Sequence, residues 1–153
     1  MGLLKVGEKA PNFEGLSQNG ESVSLENFQG KRVAIYFYPK DNTPGCTTQA
    51  CNLRDNDALL KSFNVEIIGI SADNVQSHKK FAEKFELPFP LIADTNQEIL
   101  KAYGVWGPKK FMGKEYVGIH RTTYVLNEHH DIVGVIEKPN TKDHANEVVN
   151  FFK

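Results

Sequence analysis

An α/β sandwich is the fold that this sequence predicts: a central mixed β-sheet with helices on both faces and an N-terminal β-hairpin. Three observations carry that expectation. Two apolar runs rich in β-branched residues, Val33-Ala34-Ile35-Tyr36-Phe37-Tyr38 and Val65-Glu66-Ile67-Ile68-Gly69-Ile70, flank a stretch with helical periodicity, which is a β-α-β unit. Asn19-Gly20 and Glu128-His129-His130-Asp131 separate alternating segments near the two ends, as antiparallel hairpins require. The chain has 153 residues, 40% hydrophobic and 24% charged, enough to bury a core without disulfide or metal staples. Residues 1–153 are therefore expected to form a single domain.

Taken in order, residues 12–25 read as the N-terminal hairpin, ending near Phe28-Gln29-Gly30, and a buried strand follows over about 32–38. From Pro44 to about Lys61, Ala50, Leu53, Ala58 and Leu60 recur among charged residues and predict one helix. Thr43 supplies its N-cap and Pro44 its first helical residue. After the strand at 65–70, Asp73 or Asn74 caps a second helix running through Phe85 and stopped by Leu87-Pro88. A short strand near Pro90-Leu91-Ile92 and a helix over about 95–103 come next. Gly104-Val105-Trp106-Gly107-Pro108 through Gly118 carries too many glycines and too little period for an element, and is expected to be a long ordered loop. Trp106 is expected to anchor that loop to the core, with Lys109, Lys110 and Lys114 as its solvated face. Thr122–Leu126 and Ile132–Ile136 make a second hairpin, and a helix over 142–152 closes the chain. This order of parallel crossovers and antiparallel pairs fits a thioredoxin-like sandwich.

A net charge of −1 offers no electrostatic case for nucleic acid or an anionic membrane, so neither is an expected partner. The first residues lack a charged and then apolar leader, and no later run could span a bilayer, so a cytoplasmic protein is expected. In a reducing compartment a cysteine pair is more often catalytic, redox-sensing or metal-binding than structural. His78, His129, His130 and His144 have no ligand-like spacing, and no metal or other cofactor is expected.

Cys46 and Cys51 are the only cysteines. Cys46 falls in the first turn of the helix after the buried strand, among amides with no helical partner, a position that favours a thiolate. On a regular helix the two Cα atoms lie about 8.5 Å apart, beyond the reach of about 7 Å that a disulfide allows. Either the pair never bridges, or bridging requires the first turns to unwind. The absence of C-x-x-C argues against an ordinary dithiol oxidoreductase.

The segment Tyr36-Phe37-Tyr38-Pro39-Lys40-Asp41-Asn42-Thr43-Pro44-Gly45-Cys46-Thr47-Thr48-Gln49-Ala50-Cys51 closely resembles the active-site stretch of the peroxiredoxins, in their peroxiredoxin Q or bacterioferritin comigratory protein branch. Pro39, Thr43 and Cys46 meet the wider pattern P-x-x-x-T-x-x-C. The likeness extends to Gly7-Glu8-Lys9-Ala10-Pro11-Asn12-Phe13 at the start, and to Gly104–Gly107 and Gly118-Ile119-His120-Arg121-Thr122-Thr123 late in the chain. The resemblance implies a thiol peroxidase for hydrogen peroxide and organic hydroperoxides. Cys46 would be peroxidatic and Cys51 resolving, through an intrachain disulfide that thioredoxin or a similar dithiol reduces. Thr43 and Arg121 match residues that hold the thiolate and polarise the peroxide, and Pro39 matches one that shields the site. Gln49 stands where many members carry glutamate and receives little weight. Resolution within one chain leaves no chemical need for a dimer, so a monomer is expected. The rivals are a thiol–disulfide oxidoreductase and a non-enzymatic redox-switched sensor or chaperone.

Overall fold

The structure is a computed structural model that describes residues 2–153. Its strands are β1 (Glu14–Leu16), β2 (Ser22–Ser24), β3 (Arg32–Phe37), β4 (Val65–Ser71), β5 (Leu91–Ala93), β6 (Trp106–Phe111), β7 (Lys114–Ile119), β8 (Thr122–Leu126) and β9 (Ile132–Ile136). Its helices are α1 (Pro44–Asp55), α2 (Asp57–Ser62), α3 (Val75–Phe85), α4 (Glu98–Ala102) and α5 (His144–Val149). Seven strands make one sheet in the order β2-β1-β5-β4-β3-β8-β9. Parallel pairing of β3, β4 and β5 forms its centre, and β1, β8 and β9 add antiparallel neighbours. The mixed sheet of the expected sandwich is thus present.

Alternation along the central strands sends side chains to two separate cores. Ala34 and Tyr36 of β3 and Tyr38 just after it meet Ala50 and Leu53 of α1, Leu60 of α2, Phe81 of α3 and Val148 of α5 on one face. Val33, Ile35 and Phe37 meet Ile99 and Leu100 of α4, with Tyr103 and Tyr124, on the other. The cysteine-bearing helix therefore lies on the more heavily covered face. Its start is set by β3, which ends at Phe37 in register with Ile70 of β4 and Thr122 of β8.

Three expectations need correction. The helix expected from Pro44 to about Lys61 breaks at Asn56, with φ −109° and ψ 22°, into α1 and α2. The Asn56 amide donates to the Asn52 carbonyl at 2.8 Å, competing with continued helix as asparagine commonly does. The long loop expected at 104–118 is instead a hairpin, with Trp106 opposite Ile119 and Phe111 opposite Lys114. Its turn is Met112-Gly113, both at positive φ (51° and 80°), as a tight hairpin turn needs. Gly107, Pro108, Gly118 and the lysines conceal the strand signal because the hairpin is mostly solvated on both faces. The closing helix is also shorter than 142–152: α5 ends at Val149 and a 3-10 turn carries Asn150–Phe152. Trp106 packs at the edge of the second core, as expected of an anchor.

Candidate active site

The loop from Pro39 to Thr43 joins β3 to α1 and fixes where Cys46 sits. Thr43 has the extended backbone of an N-cap (φ −95°, ψ 156°), and Pro44 is the first helical residue. Its side chain departs from expectation in two respects. The Thr43 hydroxyl neither caps α1 nor reaches Cys46, but donates to the Lys40 carbonyl at 2.9 Å, closing the loop upon itself. Pro39 is half-buried at the bend after β3.

Cys46 is 1% exposed, with its side chain in the core between β3 and α1, whereas Cys51 is only half-buried; both are free thiols. The Arg121 guanidinium, supplied by the residue before β8, donates one N–H to Cys46 Sγ at 3.2 Å and another to Gln49 Oε1 at 2.6 Å. Gly45 eases this approach, since a Cβ there would lie 3.3 Å from Arg121 Nη2 and crowd it. Cys46, Gln49 and Arg121 thus form one cluster, although Arg121 lies 75 residues from Cys46 in sequence. Gln49 is the residue that sequence reasoning undervalued; its three-residue spacing from Cys46 on one helix was the available signal.

Two polar atoms near this cluster have no hydrogen-bond partner among the described residues: Gln49 Nε2 and the Tyr36 hydroxyl. Burial, then the charges of Asp41 and Cys46, push the Tyr36 phenol well above its ordinary range, so it stays a neutral donor. Beneath Arg121, buried His144 faces Thr123 Oγ1 at 2.8 Å through Nε2 and Glu147 Oε1 at 2.9 Å through Nδ1. Burial holds this imidazole below the usual histidine range, against the opposing pull of Glu147. On the other side of Cys51, the Asn52 side chain accepts from Ala145 N at 2.8 Å and donates to Lys142 O at 2.9 Å, clasping α1 to the start of α5.

A second polar cluster lies behind the loop. Asp41 accepts from the Tyr38 hydroxyl at 2.6 Å, the Ser77 hydroxyl at 2.8 Å and His78 Nδ1 at 2.7 Å, while its own N–H donates to Asp73 Oδ2 at 2.9 Å. His78 Nε2 lies 3.0 Å from the Ile92 carbonyl, so the ring is held at both nitrogens. Donor atoms of Asp41, Asp73 and His78 fall within 4.8 Å of one another, but each is already engaged in this network. The cluster fastens the loop to α3.

Chemically, the Cys46 cluster presents a thiol with a cation against its sulfur and spare donors nearby. Such a site suits attack on a bond whose cleavage puts negative charge on a leaving oxygen. Residues 6–135 match the AhpC/TSA family. The chain is 46% identical over 153 residues to peroxiredoxin Bcp of Escherichia coli, covering 100% of this chain and 98% of that protein. A solved structure of a cysteine-to-serine mutant of Xylella fastidiosa PrxQ superposes with a TM-score of 0.91 at 28% identity, covering 99% of this chain and 97% of that one. Another, of the bacterioferritin comigratory protein of Xanthomonas campestris, studied for alkyl peroxide reduction, has a TM-score of 0.84 at 31% identity and covers 90% of this chain and 88% of that one. Among the described residues no helix is long and apolar enough to cross a membrane.

Proposed function

The chain belongs to the AhpC/TSA family, in its Bcp and PrxQ peroxiredoxin branch, and from that premise we propose that Cys46 is the peroxidatic nucleophile of this thiol peroxidase and Cys51 its resolving partner. The observation that carries this reading is the 3.2 Å contact from Arg121 to the Cys46 sulfur, backed by Gln49. A guanidinium there donates to the sulfur and lies where negative charge develops as the O–O bond breaks.

The thiolate attacks one peroxide oxygen, the O–O bond breaks, and the other oxygen leaves as alkoxide or hydroxide and takes up a proton as alcohol or water. Cys46 is left as sulfenic acid. The Thr43 hydroxyl, rotated away from the Lys40 carbonyl, holds the bound peroxide, and Pro39 shields the sulfur from bulk water. Cys51 then attacks the sulfenic sulfur, water departs, and a Cys46–Cys51 disulfide forms. Because α1 is continuous across both cysteines, this step needs its first turns to unwind. A dithiol, thioredoxin or one like it, gives up two electrons and two protons to restore both thiols. Alkyl hydroperoxides are substrates alongside hydrogen peroxide, and the one domain, residues 1–153, works as a cytoplasmic monomer without a metal or other cofactor.

Intact mass after one equivalent of peroxide tests the assignment. Wild type loses about 2 Da, whereas Cys51→Ser gains about 16 or 32 Da on Cys46. Unchanged Cys46 in both proteins would defeat it.

A further inference from the structure

We propose that Lys109 is a second cation of the peroxidase site, a positioning residue whose ammonium lies at the root of the β6–β7 hairpin and adds to the Arg121 field on the Cys46 sulfur. The inference rests on the reading of Cys46 as the reacting thiol. It replaces the expectation that Lys109 belongs to a solvated face with Lys110 and Lys114.

Lys109 differs from its neighbours in where its side chain goes. Lys110, Phe111, Met112 and Lys114 are exposed, whereas Lys109 is half-buried and its Nζ donates to the Ile119 carbonyl at 2.8 Å. Since Lys109 pairs across the hairpin with Tyr116, its side chain must run back along β7 to reach Ile119. The lysine chain passes over Gly118, where a Cβ would meet Lys109 Cδ at 3.4 Å and Tyr116 Cε2 at 3.2 Å. The path ends two residues before Arg121, which touches the Cys46 sulfur. The same root is closed by His120, whose N–H donates to the Val105 carbonyl at 2.8 Å and whose Nε2 lies 2.9 Å from the Pro108 carbonyl.

The electrostatics agree with this placement. Burial and then the Arg121 charge hold the Lys109 ammonium below the usual lysine range, and Cys46 acts in the opposite direction, as an anionic sulfur near a cation does. Arg121 before β8 and Cys46 on α1 act on both Lys109 and Tyr36, Asp41 and Cys51 act on Tyr36 as well, and His144 of α5 lies within reach of the Arg121 charge. Arg121 and Lys109 are thus two cations whose charges bear on this site, and Asp41, the carboxylate whose charge reaches Tyr36, is already engaged by His78.

Lys109→Gln keeps a hydrogen-bond donor for the Ile119 carbonyl and removes the charge, while Lys109→Arg keeps the charge. Single-turnover oxidation of Cys46 by hydrogen peroxide, followed from about pH 4.5 to pH 8, separates the two roles. For Lys109→Gln the midpoint of the pH–rate profile moves up by about half a unit, and the reaction below the midpoint is about three-fold slower. Lys109→Arg keeps the wild-type midpoint, as does the control Lys110→Gln on the opposite face of β6. A Lys109→Gln profile that overlays wild type overturns the proposal, and so does a Lys109→Arg profile displaced as far as that of Lys109→Gln. Wild-type Cys46 that gains no oxygen overturns instead the underlying reading, and intact mass on the same samples distinguishes the two failures.

Discussion

The two ends of the segment from Tyr38 to Cys46 are built in opposite ways. At the loop before α1, Asp41, Tyr38, Ser77 and His78 form a buried network that engages both oxygens of the carboxylate. Around Cys46, a few residues later, the Tyr36 hydroxyl and Gln49 Nε2 have no partner among the described residues. Buried polar groups are normally satisfied, so the contrast separates a fastener from a site with donors in reserve. The fastened loop keeps its place while, on the proposed reading, the helix after it holds the reacting sulfur and unwinds.

Removing Arg121 breaks the cysteine side most severely. Arg121→Met is expected to slow peroxide oxidation of Cys46 by about 100-fold or more while leaving the midpoint of urea unfolding nearly unchanged, since this cation serves the reaction more than the fold. Stopped-flow kinetics and equilibrium unfolding on the same preparation read both quantities.

His78→Ala should give the reverse pattern. It strands the Asp41 carboxylate in the core and costs about 3 kcal/mol of stability, measured by urea denaturation, with a far smaller effect on the rate of the folded fraction. A stability loss below about 1 kcal/mol would mean that the network fastens little.

The pH dependence sharpens the cysteine side. Burial holds His144 below the usual histidine range, so the folded state favours neutral imidazole, while the unfolded chain takes up a proton below about pH 6.5. Stability present above that pH is therefore lost as pH falls, at up to about 1.4 kcal/mol per pH unit from this group. Unfolding at several pH values should show that slope in wild type and a shallower one in His144→Gln.

Tyr36→Phe is the gentlest probe. Deleting a buried hydroxyl that has no partner should leave stability unchanged or raise it by about 1 kcal/mol, whereas Tyr38→Phe, which empties a position on Asp41, should lower it by about that amount.

The reach of sequence reasoning follows the same division. Local signals carried the β3-α1-β4 unit, the Thr43-Pro44 helix start and the place of Cys46 in the first turn, because each depends on neighbours in the chain. Arg121 was legible only through its motif, since nothing local marks an arginine 75 residues away as a partner of the sulfur. The Asp41–His78 fastener, 37 residues apart, left no periodic trace at all. Lys109 was misread together with its hairpin: glycine, proline and lysine on a solvated ribbon look like a loop until the partner strand is placed. The Thr43 hydroxyl was expected at the sulfur and lies on the Lys40 carbonyl instead, a choice between acceptors that sequence does not encode.

Amide hydrogen exchange on the reduced protein and on the protein oxidised by one equivalent of peroxide tests the central claim most directly. Residues 44–51 are expected to lose protection when Cys46 and Cys51 join, while the β3 and α3 amides that flank Asp41 and His78 keep theirs. An intrachain Cys46–Cys51 disulfide formed with the protection of α1 unchanged would contradict it.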